Sequence, residues 1–235
     1  MFNINEVKSQ NNNVRKDYGH IETGTYLARI VQVIGLGVQP RQPYKGEAKP
    51  PAPFLRITFE LPFETIDREL QGGAVETQPR WFSKEFPFSG AELSTCYKWM
   101  KKLDPNNELG GDWANALGKE CQVFITATQG KKDPSKYYND VRDIMTVSKG
   151  MTVPEIFDKS KMVLFSTRNV DAKTLEYFNN MPKWLQEKIT TAVDFPNSPL
   201  DQAIKGTTVV TPPPAPEQPV VAENTSNSVD DDPWG

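Results

Sequence analysis

The stretch Phe54-Leu55-Arg56-Ile57-Thr58-Phe59-Glu60-Leu61 sets Leu55, Ile57, Phe59 and Leu61 against Phe54, Arg56, Thr58 and Glu60. Successive side chains of an extended chain point to opposite faces, so this alternation predicts a β-strand with one face in a core. Upstream, Thr23 to Val33 is rich in β-branched and aromatic residues and predicts a first strand. Between the two, Gly35, Gly37, Pro40, Pro43, Pro50, Pro51 and Pro53 predict a long loop, which carries Arg41, Tyr44, Lys45 and Lys49. Downstream, a polar turn around Gly72-Gly73 leads to a third strand, Arg80 to Phe88, holding Trp81, Phe82, Phe86 and Phe88.

A helix is expected next. Ser89 stands three residues before Glu92, the spacing of a capping box, and Leu93, Cys96, Tyr97, Met100 and Leu103 make one apolar stripe. Lys98, Lys101 and Lys102 lie off that stripe, and Asp104-Pro105 stops it. A fourth strand, Cys121 to Thr128, and a fifth, Lys136 to Val147, flank a tight basic turn from Gln129 to Ser135. Three strands, a helix and two strands is the element order of an OB-fold barrel, with an SH3-like or open-sheet arrangement as the alternative. From residue 153 the pattern turns helical: Asp171 suits the cap of one helix, Pro182 the first turn of another carrying Leu185 and Ile189. Beyond Gly206 the chain is Pro, Val, Thr, Ser, Asn and acid, a composition that predicts a disordered tail. The expected organisation is an N-terminal arm (1–20), a mainly β, OB-type nucleic-acid-binding domain with one helix inside it (21–150), a helical extension packed on the barrel or a second subunit (151–205), and the acidic tail (206–235).

Net charge is −3, but it is unevenly spread. Residues 206–235 hold five acids and no Lys or Arg, so removing them from the 30 acidic residues leaves 25 against 27 basic ones in the body. No stretch approaches the roughly 18 apolar residues of a membrane span, and the N-terminus lacks the basic and apolar segments of a signal peptide. A cytoplasmic protein without membrane contact is expected. Cys96 and Cys121 then read as free thiols, and two cysteines with the single His20 do not complete an ordinary zinc site.

Single-stranded DNA needs flat apolar faces for its bases and cations for its phosphates, and a base stacked on an aromatic ring contributes roughly 1–3 kcal/mol without demanding a particular sequence. Arg41, Tyr44, Lys45, Arg56, Arg80, Trp81, Phe82, Lys84, Lys131, Lys132, Lys136, Tyr137 and Tyr138 supply both in the segments an OB barrel offers to nucleic acid. Many barrel aromatics fill the core instead, and strand parity puts Trp81 and Phe82 on opposite faces. The tip Asp230-Asp231-Asp232-Pro233-Trp234-Gly235 joins an anionic run to an indole on a tether. It imitates DNA, and about 30 residues of random coil reach roughly 30 Å, far enough to meet the body's own binding face.

That tip resembles the tail end of bacterial and phage single-stranded DNA-binding proteins, except that Gly235 follows the aromatic here. The element order, with Leu117-Gly118-Lys119-Glu120-Cys121-Gln122-Val123 leading to Lys136-Tyr137-Tyr138-Asn139-Asp140-Val141, resembles OB-fold proteins of tailed phages. The resemblance implies an OB fold, sequence-tolerant binding to single strands in phage replication or recombination inside the infected cell, and recruitment of replication or repair proteins by the tail; the terminal Gly235 leaves phage partners or binding to the chain's own body as the readings of that tail.

Enzymatic function, a cofactor and a metal are not expected. There is no Gly-x-x-x-x-Gly-Lys-[Ser/Thr] loop, since Glu120 follows Gly118-Lys119, and His20 lies in a polar arm. Asp140 and Asp143, three apart on a strand, face opposite ways unless a bulge intervenes. The alternatives are a protein-interaction adaptor of the helicase-loading or inhibitor kind and a divalent-metal nuclease.

Overall fold

The computed structural model describes residues 19–43, 46–69 and 72–206. The protein is mainly β. Strands β1 (Gly24–Gln39), β2 (Ala52–Glu69), β3 (Val75–Pro87), β4 (Glu120–Gln129) and β5 (Tyr137–Met145) form a hydrogen-bonded path in the order β3-β2-β1-β4-β5. All of these pairings are antiparallel. A short sixth strand, β6 (Val163–Phe165), lies parallel to β1. No helix among the described residues is long and apolar enough to cross a membrane.

The alternation at 54–61 does what its period predicts: Leu55, Ile57, Phe59 and Leu61 enter one core with Ile30, Val33, Val123, Ile125, Val141 and Ile144. Phe86 joins them from β3. Helix α1 (Thr95–Leu103) closes on this core, Trp99 meeting Phe86 and Phe59 edge-on at ring distances of 5.2 and 6.3 Å. The helix starts later than the Ser89–Glu92 capping box predicts. Ser94 is its cap, its hydroxyl accepting from the Tyr97 N–H at 3.1 Å, while Ser89 accepts from the Ala91 N–H and so makes a turn. Leu93 therefore precedes the helix and is exposed, and the buried stripe is Cys96, Trp99, Met100 and Leu103. Asp104, besides ending the helix, is buried and accepts the N–H groups of Glu108 and Leu109.

β1 runs past Gly35 and Gly37, where a loop is expected from the sequence. The reason is a second core. Ile34 and Leu36 pack against Phe165, Phe178, Met181, Leu185, Ile189 and Leu200, so β1 is buried on both faces. Fully burying one such side chain contributes about 1.5–3 kcal/mol, which outweighs glycine's poor strand propensity. Helices α2 (Ala172–Asn180), α3 (Lys183–Thr190) and α4 (Pro199–Ile204) supply the other wall. Asp171 caps α2 through the Thr174 N–H at 2.7 Å, and Ser198 caps α4. Arg29 ties the crossing segment down, donating to the carbonyls of Pro154, Val153 and Gly118 at 2.7, 2.9 and 3.1 Å.

β2 and β3 are longer than their sequence patterns. Their ladder passes an irregularity between Leu61 and Thr65 and continues to Glu69 opposite Val75, so exposed polar residues extend the hairpin to the turn at Gly72-Gly73.

Candidate nucleic-acid interface

The thirteen body residues expected to contact DNA fall into separate groups. The first is the β4–β5 hairpin. Gly130 is enclosed there: a Cβ would stand 2.6 Å from the Asp133 carbonyl and 3.0 Å from the Tyr138 ring. This tight turn projects Lys131 and Lys132, which are exposed and carry no ion pair among the described residues. Lys136 stands 3.6 Å from Asp133. The Ser135 hydroxyl, then its N–H, and the nearby Lys136 hold the Asp133 carboxyl below the usual carboxylate range, so the hairpin presents three cations and one anion at neutral pH. Tyr137 and Tyr138 follow, 43% and 60% exposed. Tyr137 stacks on His20, with ring centroids 4.3 Å apart. His20, which the sequence places in an arm without a role, thereby joins the hairpin.

The second group lies where β3 faces β5. Lys84 Nζ meets Asp140 Oδ1 at 2.6 Å, and Arg142 adds a second cation to Asp140 at 3.1 Å. Arg80 donates to the Gly19 carbonyl at 3.0 Å. Phe82 packs against the main core. A register irregularity at Phe124/Ile125 does place a bulge between Asp140 and Asp143, yet each carboxylate takes its own cation, Asp143 pairing with Lys102.

The third group is on the outer face of β2 and β3, beneath the C-terminal extension. Arg56 pairs with Glu85 at 2.9 Å and its guanidinium lies 4.9 Å above the Trp184 ring, while Lys188 reaches Glu85 from α3. Arg56 is therefore engaged within the protein. Trp81, on the face opposite Phe82, donates its indole N–H to Glu60 Oε2 at 2.9 Å, and Glu60 Oε1 accepts the Phe157 N–H at 2.8 Å. Together with Ile66, Arg68 and Lys161, these residues line a cleft of about 270 Å³.

Arg41 is half-buried in the β1–β2 loop, with no hydrogen bond or ion pair to the other twelve among the described residues. Tyr44, Lys45 and the tail residues Asp230, Asp231, Asp232, Pro233 and Trp234 lie outside the described residues. Glu60, Arg68, Phe157 and Lys161 are not legible as site residues in the sequence, because the hydrogen bond that gathers the cleft spans 97 positions. The one local signal is Glu60 itself, a carboxylate flanked by Phe59 and Leu61.

No protein-family model, curated protein or solved structure matches this chain.

Proposed function

We propose that this chain binds single-stranded DNA without strong sequence preference, on an OB-type barrel, as an accessory protein of phage DNA replication or recombination. The observation that carries the reading is the β4–β5 hairpin: Lys131 and Lys132 have no ion pair among the described residues, and beside them stand the exposed rings of Tyr137 and Tyr138. Rings of that kind stack on bases and cations of that kind meet phosphates. The OB reading draws support from the strand path β3-β2-β1-β4-β5 and from the Lys84–Asp140 contact between its two ends. An OB barrel binds oligonucleotides on its β2–β3 face and on the β1–β2 and β4–β5 loops, the last of which is this hairpin.

In the same proposal the acidic tail, with Asp230, Asp231, Asp232, Pro233 and Trp234, recruits phage partner proteins and competes with DNA for the binding face. No cofactor or metal takes part.

Titration of the full chain with oligo-dT tests the reading. Binding at low salt that weakens steeply with added salt, with quenching of Trp fluorescence, is the expected result. No shift at low salt would sink it, and capture of a replication protein without DNA binding would favour the adaptor instead. Deleting residues 206–235 should raise DNA affinity. Unchanged affinity removes the competition and leaves recruitment standing.

A further inference from the structure

We propose that the cleft between Trp81 and Phe157 is a stacking site for one unstacked nucleobase of a single strand, with Arg68 and Lys161 at its rim meeting the flanking phosphates. The inference rests on the nucleic-acid reading above and narrows it to one pocket, on the opposite face of β3 from Phe82.

Glu60 is the residue that builds the site. It is 2% exposed, lies between Phe59 and Leu61 in the chain, and has no ion pair among the described residues. Burying a carboxylate is unfavourable unless its oxygens are satisfied. Here one oxygen takes the Trp81 indole N–H and the other the Phe157 backbone N–H, two charge-assisted bonds at 2.9 and 2.8 Å. The arrangement fixes an indole from β3 and a loop residue from the C-terminal extension in the lining of one cleft.

Of the two, Phe157 is left uncovered and Trp81 is half-buried. The Phe157 side chain is 52% exposed although its backbone is anchored, and the cleft beside it holds about 270 Å³. Small-molecule sites begin at about 300 Å³, so the space suits a single base rather than a larger ligand. At the rim, Arg68 is exposed and without an ion pair among the described residues, and Lys161 stands 3.2 Å from Asp158. Two cations against Glu60 and Asp158 leave the lining balanced, so stacking rather than net charge sets the affinity, and the Arg68 guanidinium is placed for a phosphate. Glu60 acts as a positioning residue; Trp81 and Phe157 make the contact.

The test uses the full chain and oligo-dT at low and moderate salt. Phe157→Ala removes an exposed ring and should weaken binding about tenfold while the thermal melt stays at the wild-type position. Trp81→Phe keeps a ring and should abolish much of the fluorescence quenching with a smaller loss of affinity. The double variant Arg68→Ala/Lys161→Ala should lower the slope of log K against log salt by about 1.4, the value for two phosphates on a single strand. If the wild type binds and both Phe157→Ala and the double variant bind within twofold of it with the same slope, the cleft is not a DNA site and the broader function survives. If the wild type does not bind, both fall. Should Phe157→Ala fail to fold, the double variant decides, since both of its positions are exposed.

Discussion

Lys84 Nζ and Asp140 Oδ1 stand 2.6 Å apart, joining β3 to β5 across the gap between the two ends of the hydrogen-bonded strand path. Their side chains are 26% and 34% exposed, so water screens the pair in part and its contribution is about 1 kcal/mol rather than that of a buried pair. A double-mutant cycle with Lys84→Met and Asp140→Asn, followed by urea unfolding, is expected to give a coupling of about 0.5–1 kcal/mol. Zero coupling would mean that backbone pairing and the core alone hold β3 near β5. Because its ammonium is already engaged, Lys84→Met should change oligo-dT affinity less than changes in the hairpin do.

The hairpin variants separate charge from stacking. Lys131→Ala/Lys132→Ala should reduce the salt slope by about 1.4. Tyr138→Ala should leave that slope alone and weaken binding roughly tenfold, the worth of one stacked base. All three side chains are exposed, so urea midpoints should move by no more than about 0.5 kcal/mol equivalent. A Tyr138→Ala protein with wild-type affinity would remove this ring from the interface.

Legibility in the sequence follows from how local each feature is. The 54–61 alternation is readable because one face of β2 meets the core and period two survives. β1 is buried on both faces, so Ile30, Val31, Val33 and Ile34 show no clean alternation, and Gly35 and Gly37 on either side of Leu36 give a local signal that points to a loop. The sequence points to too early a start for α1 because Ser89 and Glu92 imitate a cap that Ser94 actually makes. The hairpin's basic and aromatic content can be read directly, since its residues are neighbours in the chain. The outer face cannot, because Arg56 meets Trp184 and Glu60 meets Phe157 only once the extension has folded back along β1.

That folding back depends on Gly37. Its φ is +73°, and a Cβ added there would lie 2.7 Å from both Ala192 Cβ and Asp194 Oδ1. The same approach carries hydrogen bonds from the Val38 N–H to Asp194 at 2.6 Å and from the Val193 N–H to the Val38 carbonyl at 2.8 Å. Gly37→Ala adds both backbone strain and a clash, and should cost about 1–3 kcal/mol. Limited proteolysis should then cut first within 150–205. Gly72→Ala also meets a positive φ, +98°, but no neighbour within 4 Å, so the smaller loss expected there isolates the clash.

Acid should loosen the same extension before the sheet. The Thr174 hydroxyl and N–H hold the Asp171 carboxyl below the usual carboxylate range, and Lys205, then the Asn197 N–H, do the same for Asp201. A carboxylate with a lowered folded-state pKa stabilises the fold above its unfolded value of about 3.9 and loses that contribution as pH falls through the folded one. Stability should therefore be flat from neutral pH down to about 5 and decline below about 4. Asp171→Asn and Asp201→Asn are each expected to lower stability at pH 7 and to flatten the decline, because the group that titrates has gone. Thermal melts at pH 7, 5, 4 and 3 read both effects. A variant as stable as wild type at pH 7 but equally acid-sensitive would show that its carboxylate does not hold the extension, and would shift the acid response to the other carboxylates.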